Sequence, residues 1–143
     1  TLFRRVLPVP PALALAQAAH ESAWGTSRFA REGNNLFGQW TWDASRGLVP
    51  KRRAKDATHF VRRFESLRRS VRGYLLNLNT HGAYAALRGL RERIHRNGLE
   101  PSGLRMAGGL TAYSERGAAY VEDIREMIRG NDLTAINESR LRE

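Results

Sequence analysis

The stretch ALALAQAAHESAWGTSRFA, residues 12–30, decides how the chain begins to fold. Pro11 opens a helix before it, because a proline in the first turn lacks only an N–H group that has no intrahelical partner there. The run of alanines and leucines predicts that this helix continues to about Ala23, and Gly25 suits the position just beyond its end. A short second helix follows, for which Ser27 is the expected N-cap.

Length and composition indicate one globular domain. The chain has 143 residues, of which 41% are hydrophobic and 27% charged, and this size can bury a core without disulfides. It contains no cysteine, which excludes a disulfide framework and a thiolate metal site. The histidines show no zinc spacing, so we expect no metal and no other cofactor. No apolar run approaches the ~20 residues of a membrane span.

The beginning of the chain carries no signal peptide ahead of the first predicted helix. Its first residue is not Met. We therefore expect that the chain was processed or trimmed, and that an address segment was removed.

The sequence after the second helix predicts a small β lobe and then further helices. Residues 36–42 and 58–64 are rich in aromatic and β-branched residues, which favours two short strands. Beyond this lobe, apolar residues recur at helical spacing. The predicted fold is mainly α (α+β), with one domain over residues 1–132, a β lobe at about 36–64 and a C-terminal tail at 133–143.

The charge of the chain is strongly basic. The formal net charge is +10, with 24 Lys or Arg residues. Such a charge predicts attraction to polyanions, namely nucleic acid, anionic lipid or an acidic wall polymer, and selects none of them. The basic run KRRAK at residues 51–55 is either a solvated loop or a docking segment for anionic wall or membrane polymers.

Glu21 is the one acid within residues 12–30. Spacing alone leaves two interpretations open, a last-turn residue at the surface or an acid placed for chemistry. On the helix Glu21 shares a face with Gln17 and Ala18, so the residues around its carboxyl group are mostly small. An acid in such a setting loses solvation, which favours the protonated form that can donate to a leaving oxygen. Adjacent helical residues point about 100° apart, so His20 is not expected to share a site with Glu21.

A longer pattern resembles a known signature. ALAQAAHESAWG at residues 14–25, followed by NLFG at residues 35–38, is similar to the signature of bacterial N-acetylglucosaminidases of glycoside hydrolase family 73. Within this family, the sequence most resembles the branch of the bacterial Bax proteins, which is related to the flagellar peptidoglycan hydrolase. NLNTH at residues 77–81 and AYSERG at residues 112–117 follow in the expected order, so the likeness spans about residues 6–132.

This resemblance implies a fold, a reaction and two site residues. The implied fold is lysozyme-like, with a helical lobe and a small β-hairpin lobe flanking a glycan-binding groove. The implied reaction is cleavage of the β-1,4 bond after N-acetylglucosamine in peptidoglycan, with Glu21 as proton donor and Tyr113 as the active-site tyrosine. We expect a monomer in the bacterial cell envelope, in the periplasm or secreted.

The second catalytic group is an open question, because hydrolysis with a general acid usually needs a second carboxylate. Relatives of the Bax type often read Thr-His-Glu-Val in the β lobe, where this chain reads THFV at residues 58–61. Phe60 cannot do acid–base work. The candidates are Asp56 first, then Asp43 and Glu65. The alternatives are assistance by the 2-acetamido group of the substrate, or an impaired enzyme.

Aromatic and amide side chains near the signature are candidates for substrate binding. Sugar rings stack on aromatic faces, which suggests Phe37 and Trp40, although both also suit the core of the β lobe. Amides bind N-acetyl and hydroxyl groups, which suggests Asn35 and Gln39. Tyr84 is expected to line the groove. Two further aromatic residues are expected to pack in the core, namely Trp24 and Tyr120.

Three functions remain open at this level. The first is hydrolysis of peptidoglycan glycan strands. The second is cleavage of the lytic transglycosylase type, in which no base is needed. The third is a non-catalytic basic module that binds wall polymer or nucleic acid. As partners we expect glycan strands and peripheral contact with anionic envelope polymers or membrane, and no specific nucleic acid.

Overall fold

The computed structural model describes residues 2–138, apart from the side chain of Phe3, and divides the chain into two compact units. One unit is the continuous segment Ala18–Tyr74, and the other combines the residues up to Gln17 with those from Leu75 onward. The helices are α1 (Leu2–Val6), α2 (Pro11–Ser22), α3 (Arg28–Gly33), α4 (Leu67–Thr80), α5 (Ala85–Arg96), α6 (Gly103–Ala107) and α7 (Ala118–Gly130). The strands are β1 (Trp40–Thr41), β2 (Gly47–Leu48) and β3 (Phe60–Arg62), and 3-10 turns cover Ala44–Arg46, Gly82–Tyr84 and Leu133–Glu138.

The first two predicted helices form where the sequence placed them. Helix α2 begins at Pro11 and ends at Ser22, one residue before the predicted end. Ser27 caps α3, since its hydroxyl accepts a hydrogen bond from the backbone N–H of Ala30 at 3.2 Å. The predicted mainly α class with a small β portion is confirmed.

The unit Ala18–Tyr74 contains a three-stranded antiparallel sheet in the order β1-β3-β2. In the register, Trp40 is opposite Val61 on one side of β3 and Leu48 is opposite Val61 on the other. Val61 is therefore the centre of the sheet, and it is buried. Because β3 is paired on both sides, it is the central strand of this sheet.

The strands are shorter than predicted, and the cause is a side chain. Residues 36–39 carry strand-forming residues but lie outside β1. The Asn35 carboxamide oxygen accepts hydrogen bonds from the backbone N–H groups of Phe37 and Gln39, at 3.3 and 3.1 Å. Gly38 has φ +66°, a left-handed value that a strand does not contain. The segment is therefore a tight loop and the strand begins only at Trp40.

The second unit has a helical core. Leu13 of α2, Leu87 of α5 and Met106 of α6 are fully buried, as are Ile124 and Ile128 of α7. Apolar residues four apart on α7 share one face of that helix. Helical periodicity in the sequence predicted the burial of Leu87, Ile124 and Ile128, whereas Met106 lies in a short segment without such a pattern.

Two arginines of α5 are buried and serve as backbone partners. The Arg88 guanidinium donates to the carbonyl oxygens of Leu78 and His81, both at 2.8 Å. Arg91 donates to the carboxamide oxygen of Asn79 at 2.8 Å. Burial lowers the pKa of both guanidinium groups. The two bonds of Arg88 complete carbonyl groups around the end of α4 that the helix itself leaves unpaired. Arg91 also donates to the backbone carbonyl of Arg4 at 2.5 Å.

The first half of the predicted tail is folded. Leu133 is buried, and the Asn137 side-chain oxygen accepts a hydrogen bond from the backbone N–H of Ala12 at 3.0 Å. Residues 139–143 of that predicted tail lie outside the described residues. Among the residues described, no helix is both long enough and apolar enough to cross a membrane.

Candidate active site around Glu21

Glu21 is the penultimate residue of α2, and its side chain is 25% exposed. The carboxylate is therefore neither buried nor fully solvated. Its Oε1 atom lies 3.7 Å from Nδ1 of His20. The expectation that His20 would stay apart is wrong, because both side chains are long enough to converge although their Cβ atoms diverge around the helix.

Gly38 lies against the other carboxylate oxygen. A Cβ atom built on Gly38 would be 3.4 Å from Oε2 of Glu21. The backbone of the loop at residues 35–39 therefore passes directly beside this carboxylate. A side chain at Gly38 would contact this oxygen.

The turn that ends α2 has an unusual backbone. Three successive residues, Ala23, Trp24 and Gly25, have left-handed φ values of 49°, 56° and 78°. Such values cost of order 1 kcal/mol for each non-glycine residue. Ser22 supports the turn, since its buried hydroxyl donates to the Ala18 carbonyl at 2.5 Å and accepts from the Gly25 N–H at 2.8 Å.

Trp24 is exposed as a result of this turn. It is 55% exposed, so the expectation that it packs in the core is wrong. The left-handed backbone turns the residue away from the buried alanine face of α2. Sequence reasoning missed it as a site candidate, although an aromatic residue just before a helix-ending glycine was a usable signal.

Asn35 was predicted to bind substrate, and the structure gives it another role. It is 2% exposed, and its amide nitrogen donates to the carbonyl oxygens of Gln39 and Arg62, at 2.9 and 2.8 Å. The carboxamide oxygen already accepts two bonds from the loop. Because the protein uses the whole amide, we correct this assignment to a structural one that holds the loop beside Glu21.

Phe37 and Gln39 also hold the loop in place. Phe37 is buried and its ring stacks on Tyr74 of α4, with ring centroids 3.9 Å apart. The Gln39 amide donates to the Ser70 carbonyl at 3.1 Å. Phe37 is thus a core residue, which was the alternative to its predicted substrate contact. Gln39 is partly exposed, and its amide has a partner within the protein.

Trp40 is the most exposed of the predicted substrate-binding residues, at 55%. Its ring stacks on that of His59 with centroids 3.7 Å apart, and Trp42 contacts it edge-on at 6.4 Å. Trp42 is itself 68% exposed. These two tryptophans and His59 form an exposed aromatic cluster on the sheet, of the kind that sugars stack against.

The candidates for the second acid differ in their surroundings. Asp43 caps the turn Ala44–Arg46, and its carboxylate accepts from the N–H and hydroxyl groups of Ser45 at 2.9 and 2.6 Å. These hydrogen bonds lower its pKa. Glu65 lies 3.8 Å from Arg69. Asp56 is exposed in the turn before β3.

Phe60 lies at the position where the sequence resemblance predicted an acid. It lies in β3 opposite Thr41, with the Arg53 guanidinium 5.1 Å above its ring. This position packs within the sheet and carries no acid–base group.

Tyr113 belongs to the second unit, in a row of aromatic rings. It stacks on Tyr120 with centroids 5.5 Å apart and lies 5.8 Å from Tyr84. Tyr120 is buried, as expected, and its hydroxyl accepts from the Gln17 amide at 3.0 Å. Tyr84 is also buried, which corrects its predicted groove contact to packing. Tyr113 is partly exposed.

The described part of the chain contains no cluster of three or more His, Cys, Asp or Glu side chains that could hold a metal ion.

Comparisons with known proteins show the family of this chain. Residues 4–133 match the glucosaminidase family, described as mannosyl-glycoprotein endo-β-N-acetylglucosaminidase. The chain is similar to the protein Bax of Escherichia coli strain K12, with 35% identity over 134 residues, covering 92% of this chain and 46% of that protein. It thus spans about half the length of that relative. No solved structure gives a significant match. Since the family match covers nearly the whole chain, the chain belongs to the glucosaminidase family of glycoside hydrolases.

Proposed function

We propose that this chain hydrolyses peptidoglycan as an endo-β-N-acetylglucosaminidase, with Glu21 as general acid at the β-1,4 bond after N-acetylglucosamine. The observation that carries the proposal is the setting of Glu21. A partly exposed carboxyl group lies at the end of a helix, bordered by a glycine backbone and followed by a left-handed turn. Strained backbone is concentrated at active sites, where it holds groups in place for reaction.

In the proposed reaction, Glu21 transfers a proton to the leaving group. The protonated carboxyl group donates to the glycosidic oxygen as the bond from that oxygen to the sugar C1 breaks. Water then adds to C1 and loses its proton to a base. General acid catalysis of this kind contributes about 10²–10⁴-fold to the rate.

The exposed aromatic rings and the charge support a glycan of the bacterial wall as substrate. Trp24, Trp40 and Trp42 are each more than half exposed, and aromatic faces are suited to the apolar faces of sugar rings. A net charge of +10 favours an anionic polymer. We accordingly propose that the enzyme acts in the bacterial envelope, either in the periplasm or outside the cell.

Product analysis tests this function. Purified peptidoglycan is incubated with the chain and the soluble products are examined by mass spectrometry. We expect new reducing N-acetylglucosamine ends. 1,6-Anhydro-muramyl ends would instead show transglycosylase-type cleavage, and the absence of soluble products would leave a binding module.

The second catalytic group is best sought at Asp56. Asp43 uses its carboxylate to cap a turn, and Glu65 is close to Arg69. Among the described residues, the Asp56 carboxylate has no hydrogen bond or ion pair. It is therefore the candidate with a carboxylate available to bind a water molecule.

Two matched variants test this assignment. Asp56→Asn is expected to lower kcat on peptidoglycan by about 100-fold, as for loss of a general base. Asp43→Asn removes the same charge and is expected to change kcat by less than about 2-fold. If both variants keep wild-type kcat, no base comes from either residue, and assistance by the substrate 2-acetamido group becomes the favoured route.

A further inference from the structure

A cavity lined by arginines lies within the unit Ala18–Tyr74. Its volume is about 460 Å³, within the usual range for small-ligand sites. The lining residues are Ser45, Arg46, Arg62, Arg63, Phe64, Glu65 and Arg69. Four of these seven residues are arginines and one is an acid. The unit as a whole contains 12 Lys or Arg and 5 Asp or Glu residues, a formal charge of +7.

The sheet brings these arginines together. Arg62 of β3 is opposite Gly47 of β2, and the backbone N–H of Arg63 donates to the Arg46 carbonyl at 2.7 Å. The Arg62 guanidinium lies 4.7 Å above the Phe64 ring, which helps to hold it. Strand pairing therefore places Arg46, Arg62 and Arg63 together, and the fourth arginine, Arg69, comes from helix α4.

The positive charge of the cavity is only partly balanced. Arg46 pairs with Asp43 at 3.4 Å, and Arg69 pairs with Glu65 at 3.8 Å. Within residues 2–138, no carboxylate lies within 4.0 Å of the side-chain nitrogens of Arg62 or Arg63. Clustered like charges repel one another, so an anion bound between them is favoured. Guanidinium groups bind carboxylates in a planar, two-bond geometry.

The Asn35 side chain connects the cavity to the loop at residues 35–39, which lies beside Glu21. The Asn35 amide donates both to the backbone carbonyl of Arg62, a residue that lines the cavity, and to the carbonyl of Gln39, in the loop. Gly38 of the same loop borders the Glu21 carboxylate. A ligand held at the arginines is thus linked to the loop beside the candidate acid.

We propose that this cavity binds the carboxylates of the peptide stems attached to the glycan, and so selects peptide-bearing strands over bare ones. The inference rests on the proposed function for its substrate. The sugar rings next to the scissile bond have no need for four arginines, whereas the stems carry carboxylates. The cavity already contains a pairing of this kind between Glu65 and Arg69.

Binding to two forms of one glycan tests the proposal. Glu21→Gln protein is titrated calorimetrically, at about 0.15 M salt to screen distant charges, with soluble strands that carry peptide stems and with the same strands after an amidase has removed them. Hydrolysis of the amide bond between stem and sugar leaves one lactyl carboxylate on each muramic acid of the bare strand, so the comparison measures the contribution of the carboxylates on the stem itself. The Arg62→Gln/Arg63→Gln variant is expected to weaken binding of stem-bearing strands by about 10-fold, the loss of one charge-assisted hydrogen bond. Binding of bare strands is expected to be unchanged.

The matched control is Arg68→Gln/Arg72→Gln, which removes two exposed positive charges of the same unit outside the cavity lining. It is expected to change binding of either strand by less than about 2-fold. Arg63→Gln alone, at an exposed position, is expected to give about a 3-fold loss on stem-bearing strands. Circular dichroism checks that each variant is folded.

Other outcomes separate the inference from general electrostatic binding and from the proposed hydrolysis. Equal losses on both kinds of strand, or equal losses in the control, would show general electrostatic attraction. Polyphosphate binding that depends on Arg62 and Arg63, with no preference between the strands, would make the ligand a phosphate polymer. Stem-dependent binding without any cleavage by the wild-type chain would remove the proposed hydrolysis and keep the anion site. Cleavage that gives the expected reducing ends, without any preference for stem-bearing strands, would keep the proposed hydrolysis and remove the anion site.

Discussion

Glu21→Gln is expected to lower kcat on peptidoglycan by about 10²–10⁴-fold, because the amide has nearly the same shape and no proton to give to the leaving oxygen. KM is expected to change by less than about 3-fold, since the substitution leaves the exposed tryptophans and the loop untouched. The measurement is the rate of release of reducing ends from purified peptidoglycan, with mass spectrometry of the products.

Glu32→Gln provides the matched control for this variant. Glu32 is an exposed acid near the end of the next helix, paired with Arg28 at 3.1 Å. Its loss is expected to leave kcat within about 2-fold of wild type, because exposed pairs of this kind contribute little. A Glu21→Gln protein as active as wild type would remove Glu21 from the mechanism.

Gly47→Ala is expected to have the largest effect on stability. A Cβ atom at this position would lie 2.3 Å from Cβ of Phe60 and 3.0 Å from Cγ2 of Thr41. The Phe60 Cβ is attached directly to the backbone of the central strand, so it cannot move unless β3 moves. Such overpacking is expected to lower the free energy of unfolding by about 3 kcal/mol, and the melting temperature by about 10 °C.

Two comparisons identify the clash as the cause. Gly130→Ala, at the end of α7 with no atom within 4 Å, is expected to raise stability by about 0.5 kcal/mol. In a Phe60→Gly background, Gly47→Ala is expected to lower the free energy of unfolding by less than about 1 kcal/mol. In a Phe60→Ala background the Cβ atom remains, so the full loss of unfolding free energy is expected. A cost that is the same in both backgrounds would refute this explanation, and thermal unfolding measures each value.

Local signals in the sequence predicted the helices well. Pro11 opened α2, Ser27 capped α3, and apolar spacing identified the buried side of α7 through residues such as Ile124. Each of these depends on residues within a few positions of one another. Family membership was also recognisable, since the signature around Glu21 is contiguous, and the family match confirms it.

Side chains that act across the fold were harder to place. Asn35 looked like a substrate ligand because an amide in a loop has no evident local partner. Its partners include the carbonyl of Arg62, 27 positions away, which only the pairing of β3 brings near. Phe37 and Tyr74 likewise meet only when the loop packs on α4. Trp24 was misjudged because its exposure depends on a left-handed turn that composition does not reveal.

By itself, the sequence determined the helical framework, the basic charge and the identity of the candidate acid. These properties follow from residue types and short-range spacing. Tertiary structure alone decided which polar groups remain available. The side chains of Asn35 and Phe37 make hydrogen bonds and ring contacts with distant residues, so they stabilise the fold. Folding also places Glu21 beside Gly38. It brings Arg46, Arg62 and Arg63 into one cavity. Availability is a property of burial and partners, and both arise only when remote parts of the chain meet.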